Sequence, residues 1–172
     1  MKRQAVAFSL LALLALAPFA STAEQDEDGF PKQWQEIGVQ FPSPPASDAL
    51  IPLYVSAATA NHFYIDGPSL SLGADQVIRY VLVVETPSGV RNVTFEGMRC
   101  ESKSRRIYAS GRPDGTWSKA RHSDWVRISD AYANRQHAVL FLEYFCPFGN
   151  PVRTADEARN ALVRGGHPDV RR

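Results

Sequence analysis

The chain has 172 residues, with 19 lysines and arginines against 18 aspartates and glutamates, so its formal net charge is +1. This near-zero charge, without long basic runs, argues against nucleic acid and anionic membrane as main partners. Hydrophobic residues make up 44% of the chain, which argues against disorder. A chain of this length can bury a single core, so we expect one domain.

The first 23 residues have the three-part layout of a secretory signal. Lys2 and Arg3 precede an apolar stretch, Ala5–Ala17, and Ser21-Thr22-Ala23 supplies small residues for cleavage. The apolar stretch is shorter than the ~20 residues that span a bilayer. We therefore predict a signal peptide at 1–23, a flexible acidic arm at 24–33 and a periplasmic mature chain with no membrane span. Display at the cell surface is the alternative.

Two cysteines, Cys100 and Cys146, remain after the predicted signal is removed. In an exported chain, an even pair of cysteines is most simply a disulfide. Neither belongs to a Cys-x-x-Cys motif or has a histidine at metal-ligand spacing, so a redox or metal pair is less favoured.

The first predicted strands are short. Trp34–Phe41 alternates weakly, which suits a strand, and Pro42-Ser43-Pro44-Pro45 predicts a stiff extended connector. Leu50–Ser56 and His62–Asp66 are apolar and aromatic runs typical of two further strands.

The strongest pattern is a hairpin. Val77–Thr86 is apolar on both faces, which predicts a central strand covered on both sides. Pro87-Ser88-Gly89 predicts a turn, and Val90–Cys100 then returns. The apolar residues change parity at Gly97, where we expect a β-bulge.

The last third of the chain changes from strands to helices. Ile107–Ser110 and Trp125–Ile128 predict strands, and the run from Arg112 to Gly115 between them predicts a turn. Apolar residues then recur at helical spacing over 134–145, up to Pro147. Thr154-Ala155-Asp156-Glu157 matches a capping box, so we expect a helix over Ala155–Arg164 and a frayed tail over 166–172.

This order predicts an α+β domain over residues 34–165. We expect an antiparallel sheet of about five to six strands, with one or two C-terminal helices packed against it. An all-β, barrel-like fold is the alternative if residues 134–145 are extended.

Several short motifs together resemble one known family, and they cover nearly all of residues 34–165. The motifs are Pro52–Thr59, Phe63–Asp66, Ile78–Val84, Pro87–Gly89, Glu96–Cys100, Asp114–Trp117, Asn134–Ala138 and Tyr144–Pro147. They resemble the cryptic neisserial protein-like family, which implies an exported envelope protein of Gram-negative bacteria and no particular activity. Tyr64–Asp66, Ser69-Leu70 and Cys100 before Tyr108 are more weakly similar to the surface-adhesin protein E-like domain, a small antiparallel sheet with a helix.

Motifs for catalysis are scarce. The four histidines share no helical spacing suited to zinc, and no phosphate loop, nucleophile elbow or dinucleotide fingerprint is present. His122-Ser123-Asp124 are adjacent and do not suit a catalytic relay, because neighbouring strand residues point to opposite faces. We predict no catalytic residue, cofactor or metal. An envelope hydrolase with a site assembled from His137, Asp114 and Tyr108 is the alternative.

Residues 99–127 combine many basic residues with three aromatic residues, Tyr108, Trp117 and Trp125. Such a surface binds anionic polymers or proteins through arginine forks and aromatic stacking. We predict an interaction surface formed by Arg106, Tyr108, Arg112 and Trp117. The alternative is a solvated sheet face with its aromatic rings buried.

The sequence therefore favours a non-enzymatic binding module of the periplasm or envelope. We expect its partner to be an envelope protein or an anionic envelope polymer. A small envelope hydrolase and a surface adhesin are the alternatives.

Overall fold

Eight strands form one antiparallel sheet in the computed structural model, which describes residues 33–130 and 134–170. The strands are β1 (Leu50–Leu53), β2 (His62–Asp66), β3 (Ser71–Leu72), β4 (Val77–Glu85), β5 (Arg91–Arg99), β6 (Ser104–Gly111), β7 (Trp117–Lys119) and β8 (Val126–Arg127). The predicted signal peptide, the acidic arm up to residue 32 and the last two residues of the tail lie outside the described residues. The described residues from Gln35 onward belong to one compact unit.

The sheet is open. Its strand order is β1-β2-β4-β5-β6-β7, while β3 pairs with the other end of β4 and β8 with the other end of β6. Two helical segments follow the strands and pack against the sheet. The predicted α+β class is therefore confirmed, and the barrel-like alternative is wrong because residues 135–145 are helical.

Strand β4 is covered on both faces, as its sequence predicts. Tyr80 and Leu82 belong to a large core shared with the C-terminal helices. Val81 and Val83, which point the other way, belong to a smaller core with Phe95 and Tyr108. The two cores lie on opposite faces of the sheet because side chains alternate along a strand.

The predicted bulge at Gly97 is misplaced. Strands β4 and β5 pair without interruption, and the register shifts instead between β5 and β6, where Phe95 faces Ala109 and Glu96 faces Ile107. The extra residue is thus Tyr108 on β6. A Cβ atom on Gly97 would lie 2.9 Å from Cε2 and Cζ of Tyr108, so the glycine makes room for that ring.

The strand predicted over Trp34–Phe41 is wrong, because residues 33–46 have no regular secondary structure. We call residues 36–45 the strap. The strap bonds to side chains instead of a strand edge: the Ile37 N–H donates to Asp75, and the Pro42 carbonyl accepts from Trp117. Its three prolines also have no N–H to offer a ladder.

The predicted helices are present. Helix α1 (Arg135–Val139) continues into a π-helical segment, Leu140–Phe145, and ends before Pro147. Helix α2 (Ala155–Val163) is capped by the Thr154 hydroxyl, which accepts from the Glu157 N–H at 3.1 Å.

The end of β5 and the end of the π-helical segment meet at the two cysteines. The Cα atoms of Cys100 and Cys146 are 5.5 Å apart, and no described cysteine is free. This geometry is compatible with the disulfide that the sequence predicts.

Part of the segment predicted to be a frayed tail is packed against the domain. His167 is 1% exposed, its N–H donates to the Glu143 carbonyl at 2.7 Å, and its Nε2 lies 3.1 Å from Glu157. In the described ranges, no helix has the length and apolar character needed to cross a membrane.

Candidate functional site

The four residues of the predicted interaction surface fall into two groups. Tyr108 on β6 is buried, with 6% exposure, and Trp117 on β7 is partly buried; both pack in the smaller core. Arg106 lies on the same face as Tyr108, and its guanidinium is 5.6 Å from the Tyr108 ring. Arg112 is exposed on the turn between β6 and β7, where its guanidinium donates to the Trp117 carbonyl at 3.4 Å.

Arg106, Tyr108 and Trp117 meet the strap. The Glu36 carboxylate accepts hydrogen bonds from Arg106 Nη1 and Trp125 Nε1 at one oxygen and from the Tyr108 hydroxyl at the other. Arg79 Nη2 lies 3.5 Å from the second oxygen. We call Arg79, Arg106, Tyr108 and Trp125 the carboxylate clamp.

The Asp75 carboxylate fixes the position of the Arg79 side chain. Asp75 accepts two hydrogen bonds from its guanidinium, at 3.0 and 2.6 Å, and both side chains are buried. Burial raises the pKa of Asp75, but the hydrogen bonds from Arg79 and the Ile37 N–H outweigh burial and leave the pKa lowered. Asp75 is therefore a charged anchor for Arg79 at neutral pH.

The clamp suits an anionic group by charge. Arg79 and Arg106 contribute two positive charges against the one negative charge of Asp75, so the clamp and Asp75 together carry +1, which the Glu36 carboxylate offsets. Burial, and then the hydrogen bond to Glu36, raise the pKa of Tyr108 far above its usual range. Its hydroxyl therefore remains a donor, as does the indole of Trp125.

The far half of the strap lies on aromatic rings. The Phe41 ring centroid is 6.1 Å from that of Phe95 and 6.5 Å from that of Trp117. The Trp117 indole N–H donates to the Pro42 carbonyl at 2.7 Å. The strap thus rests between a charged clamp at one end and an aromatic surface at the other.

An open groove of about 530 Å³ continues from the end of the strap. Pro44 and Pro45 form one side, and the two exposed arginines Arg91 and Arg112 lie at the other. Of the four residues of the predicted interaction surface, only Arg112 lines this groove.

A second polar cluster lies on the opposite face of the sheet, in the large core. Glu96 on β5 accepts hydrogen bonds from Thr94 at 2.7 Å and Tyr80 at 3.1 Å, and lies 2.8 Å from His137 Nε2. Burial raises the pKa of Glu96, but the electrostatic interaction and hydrogen bond with His137 and the hydrogen bond from Thr94 outweigh burial and hold the pKa below its ordinary value. Burial also raises the pKa of Tyr80 well above its usual range, so its hydroxyl stays a donor.

The structure does not bring the residues of the hydrolase alternative together. His137 lies in the large core, Tyr108 on the other face of the sheet, and Asp114 in an exposed turn where it accepts from Thr116. Ser123 donates to the Ile107 carbonyl and accepts from Arg106. Within residues 33–130 and 134–170, no three His, Cys, Asp or Glu side chains cluster as metal ligands.

Sequence reasoning missed Arg79 of the clamp and the carboxylate that it holds, Glu36. Arg79 is the one charged residue in the apolar part of β4, and a charge in a buried strand requires a partner. That signal was available, with Asp75 four residues before it. Glu36 was not identifiable in this way, because it lies 43 residues before Arg79 in the sequence.

A model of the CNP1-like family matches residues 30–163, more than three quarters of the chain. No curated protein matches the chain, and no solved structure matches it.

Proposed function

The chain belongs to the CNP1-like family, and from this membership and the placement of its basic and aromatic residues we propose that it is an exported envelope protein acting as a non-enzymatic binding module. The family match and the motifs quoted above are compatible with the cryptic neisserial protein-like family, and we propose that identity at this finer level. The signal-like layout of residues 1–23 supports export. The cysteine pair suits an oxidising compartment.

One observation carries the binding role: a surface of arginine, tyrosine and tryptophan side chains holds an extended, proline-containing segment. The clamp receives the Glu36 carboxylate, and Trp117 receives a proline carbonyl. Such contacts are those of peptide recognition. The adjoining groove, with Arg91 and Arg112, leaves part of this surface open to a partner.

Arginine at the groove favours an anionic partner, either an envelope protein or an anionic envelope polymer. Guanidinium groups form bidentate hydrogen bonds with carboxylate or phosphate groups. At ordinary ionic strength, exposed charges attract such groups over about 8–10 Å. No feature of the described residues favours hydrolysis or adhesion over this role.

Co-purification after mild cross-linking in a Gram-negative host tests the proposal. The tagged full-length chain is compared with Arg112→Ala, which changes the groove, and with Arg164→Ala, an exposed arginine just after α2 that serves as a matched control. We expect the wild type and Arg164→Ala to recover the same envelope component. Arg112→Ala should recover several-fold less, and recovery should fall as salt is raised.

Equal recovery by the two arginine variants would contradict the assigned surface. Recovery of nothing above an untagged control would contradict the binding role itself.

A further inference from the structure

The strap has the contacts of a bound peptide more than those of a structural element. It adds no strand to the sheet, and both its Ile37 and Phe41 side chains are more than 40% exposed. Its attachments are a carboxylate in the clamp, a ring on aromatic neighbours, a carbonyl on an indole N–H, the Ile37 N–H on Asp75 and the Val39 side chain against the smaller core. Extended proline-containing peptides dock on aromatic grooves in this manner.

The two arginines of the clamp are also held by side chains outside the strap. Arg79 is fixed by Asp75, and Arg106 is fixed by Ser123, whose hydroxyl accepts from its Nε at 2.9 Å. The Tyr108 ring contacts both guanidinium groups, with its centroid 5.8 Å from that of Arg79 and 5.6 Å from that of Arg106. Donors held in this way keep their positions when the carboxylate leaves, so the empty clamp is preorganised and positively charged.

We propose that the clamp is a recognition site for a carboxylate-bearing extended peptide of a partner protein, and that the strap is an intramolecular occupant which such a peptide displaces. The recognised pattern is an acidic residue followed, six positions later, by a proline whose carbonyl meets Trp117, as in Glu36 and Pro42. This inference rests on the proposed binding role and names the partner's chemistry.

Displacement follows from the way in which the strap is attached. A tethered segment competes at an effective concentration in the millimolar range, so it blocks weak ligands and yields to tighter ones. Weakening the strap should therefore strengthen the binding of a free peptide by the same factor, up to the point where the clamp is vacant.

The test uses a fluorescent peptide with the sequence of residues 35–46 and purified full-length mature chains. Binding is measured by anisotropy on the wild type, on Glu36→Gln and on Phe41→Ala, which weakens the strap at its other end and leaves the clamp intact. Glu101→Gln is the matched control, because Glu101 is an exposed glutamate outside the strap and the clamp.

We expect both strap variants to bind the peptide about tenfold or more tightly than the wild type, and Glu101→Gln to bind as the wild type does. A peptide with glutamine in place of its glutamate should lose about tenfold in affinity for Phe41→Ala. Adding Arg106→Ala to Phe41→Ala should abolish binding. Circular dichroism shows whether each variant is folded. If only one of the two strap variants folds, that variant alone tests whether weakening the strap strengthens peptide binding.

Failure of the peptide to bind folded Phe41→Ala, or binding that ignores the carboxylate, would overturn the inference. A concentration-dependent dimer of the wild type that Glu36→Gln abolishes would instead identify the strap of a second copy as the occupant, and would overturn the assignment to a partner protein. Neither result depends on recovering an envelope component, so the binding role is judged separately.

Discussion

Glu96 is a nearly fully buried acid, 2% exposed, and it is hydrogen-bonded to Tyr80, Thr94 and His137. Charges in such a position are costly unless they are hydrogen-bonded and paired. Thr94, Tyr80 and His137 meet that requirement, each from a different element: β5, β4 and α1. The cluster therefore joins the helical layer to the sheet at one defined point.

Replacing Glu96 by glutamine should remove the negative charge that accepts the hydrogen bonds of this cluster. We expect Glu96→Gln to lower the free energy of unfolding by about 1–3 kcal/mol at neutral pH, because hydrogen bonds to a charged group are worth about that much. Urea denaturation measures the change. Glu101→Gln, an exposed acid, is the control and should change stability by less than about 0.5 kcal/mol.

The same variant has a predicted pH dependence. The pKa of Glu96 is lower in the folded chain than its ordinary value of 4.5, so its contribution is fully present above pH 4.5 and is lost as the pH falls through the lowered folded value. The stability difference between wild type and Glu96→Gln should therefore shrink in acid. A difference that stays constant from pH 7 to pH 3 would contradict this account.

At the scale of elements, the pairing of β5 with β6 depends on a glycine. Tyr108 is the extra residue of the bulge, and its ring occupies the space beside Gly97. The hydroxyl of that ring reaches Glu36. One missing side chain on β5 thus helps to position a donor of the clamp.

Gly97→Ala should accordingly destabilise the domain and disturb the clamp. Overpacking of this kind costs about 1–3 kcal/mol, and we expect a fall of that size in the free energy of unfolding. Gly38→Ala is the matched control, since nothing lies within 4 Å of a Cβ atom at that position. Equal thermal stability of the two variants would show that the Tyr108 ring moves aside without cost.

Local sequence patterns predicted the elements well and their long-range contacts poorly. The two apolar faces of β4, the turns at Gly89 and Gly115 and the end of the helical segment before Pro147 each follow from neighbouring residues. The bulge and the strap do not, because they depend on contacts between distant residues. Glu36 accepts a hydrogen bond from Tyr108, which lies 72 residues later in the sequence. The spacing of apolar residues along the chain contains no information about such a contact.

At the scale of the whole molecule, a disulfide-compatible cysteine pair lies between the sheet and the helices. Cys100 follows β5 and Cys146 follows the π-helical segment, with a sequence separation of 46 residues. Closing a loop of that length stabilises a fold by about 4 kcal/mol in the chain-entropy model. Both cysteines also lie in the large core that the sheet and the helices share.

Protein recovered from the periplasm should have the mass of residues 24–172 with both cysteines oxidised. Intact mass spectrometry after alkylation without reductant measures both properties at once. Reduction should then lower the free energy of unfolding by up to about 4 kcal/mol. A chain that retains residues 1–23, or that takes up alkylating agent without reductant, would contradict the predicted export or the predicted bond.

Two of the three tryptophans of the chain donate their indole N–H to the strap: Trp117 to the Pro42 carbonyl and Trp125 to the Glu36 carboxylate. Indole emission depends on the polarity and hydrogen bonding of the ring's surroundings. The molecule therefore carries an intrinsic optical reporter, whose two chromophores lie at the two ends of the same segment. Departure of the strap would expose both rings to water and shift their emission to longer wavelengths, without any label attached to the protein.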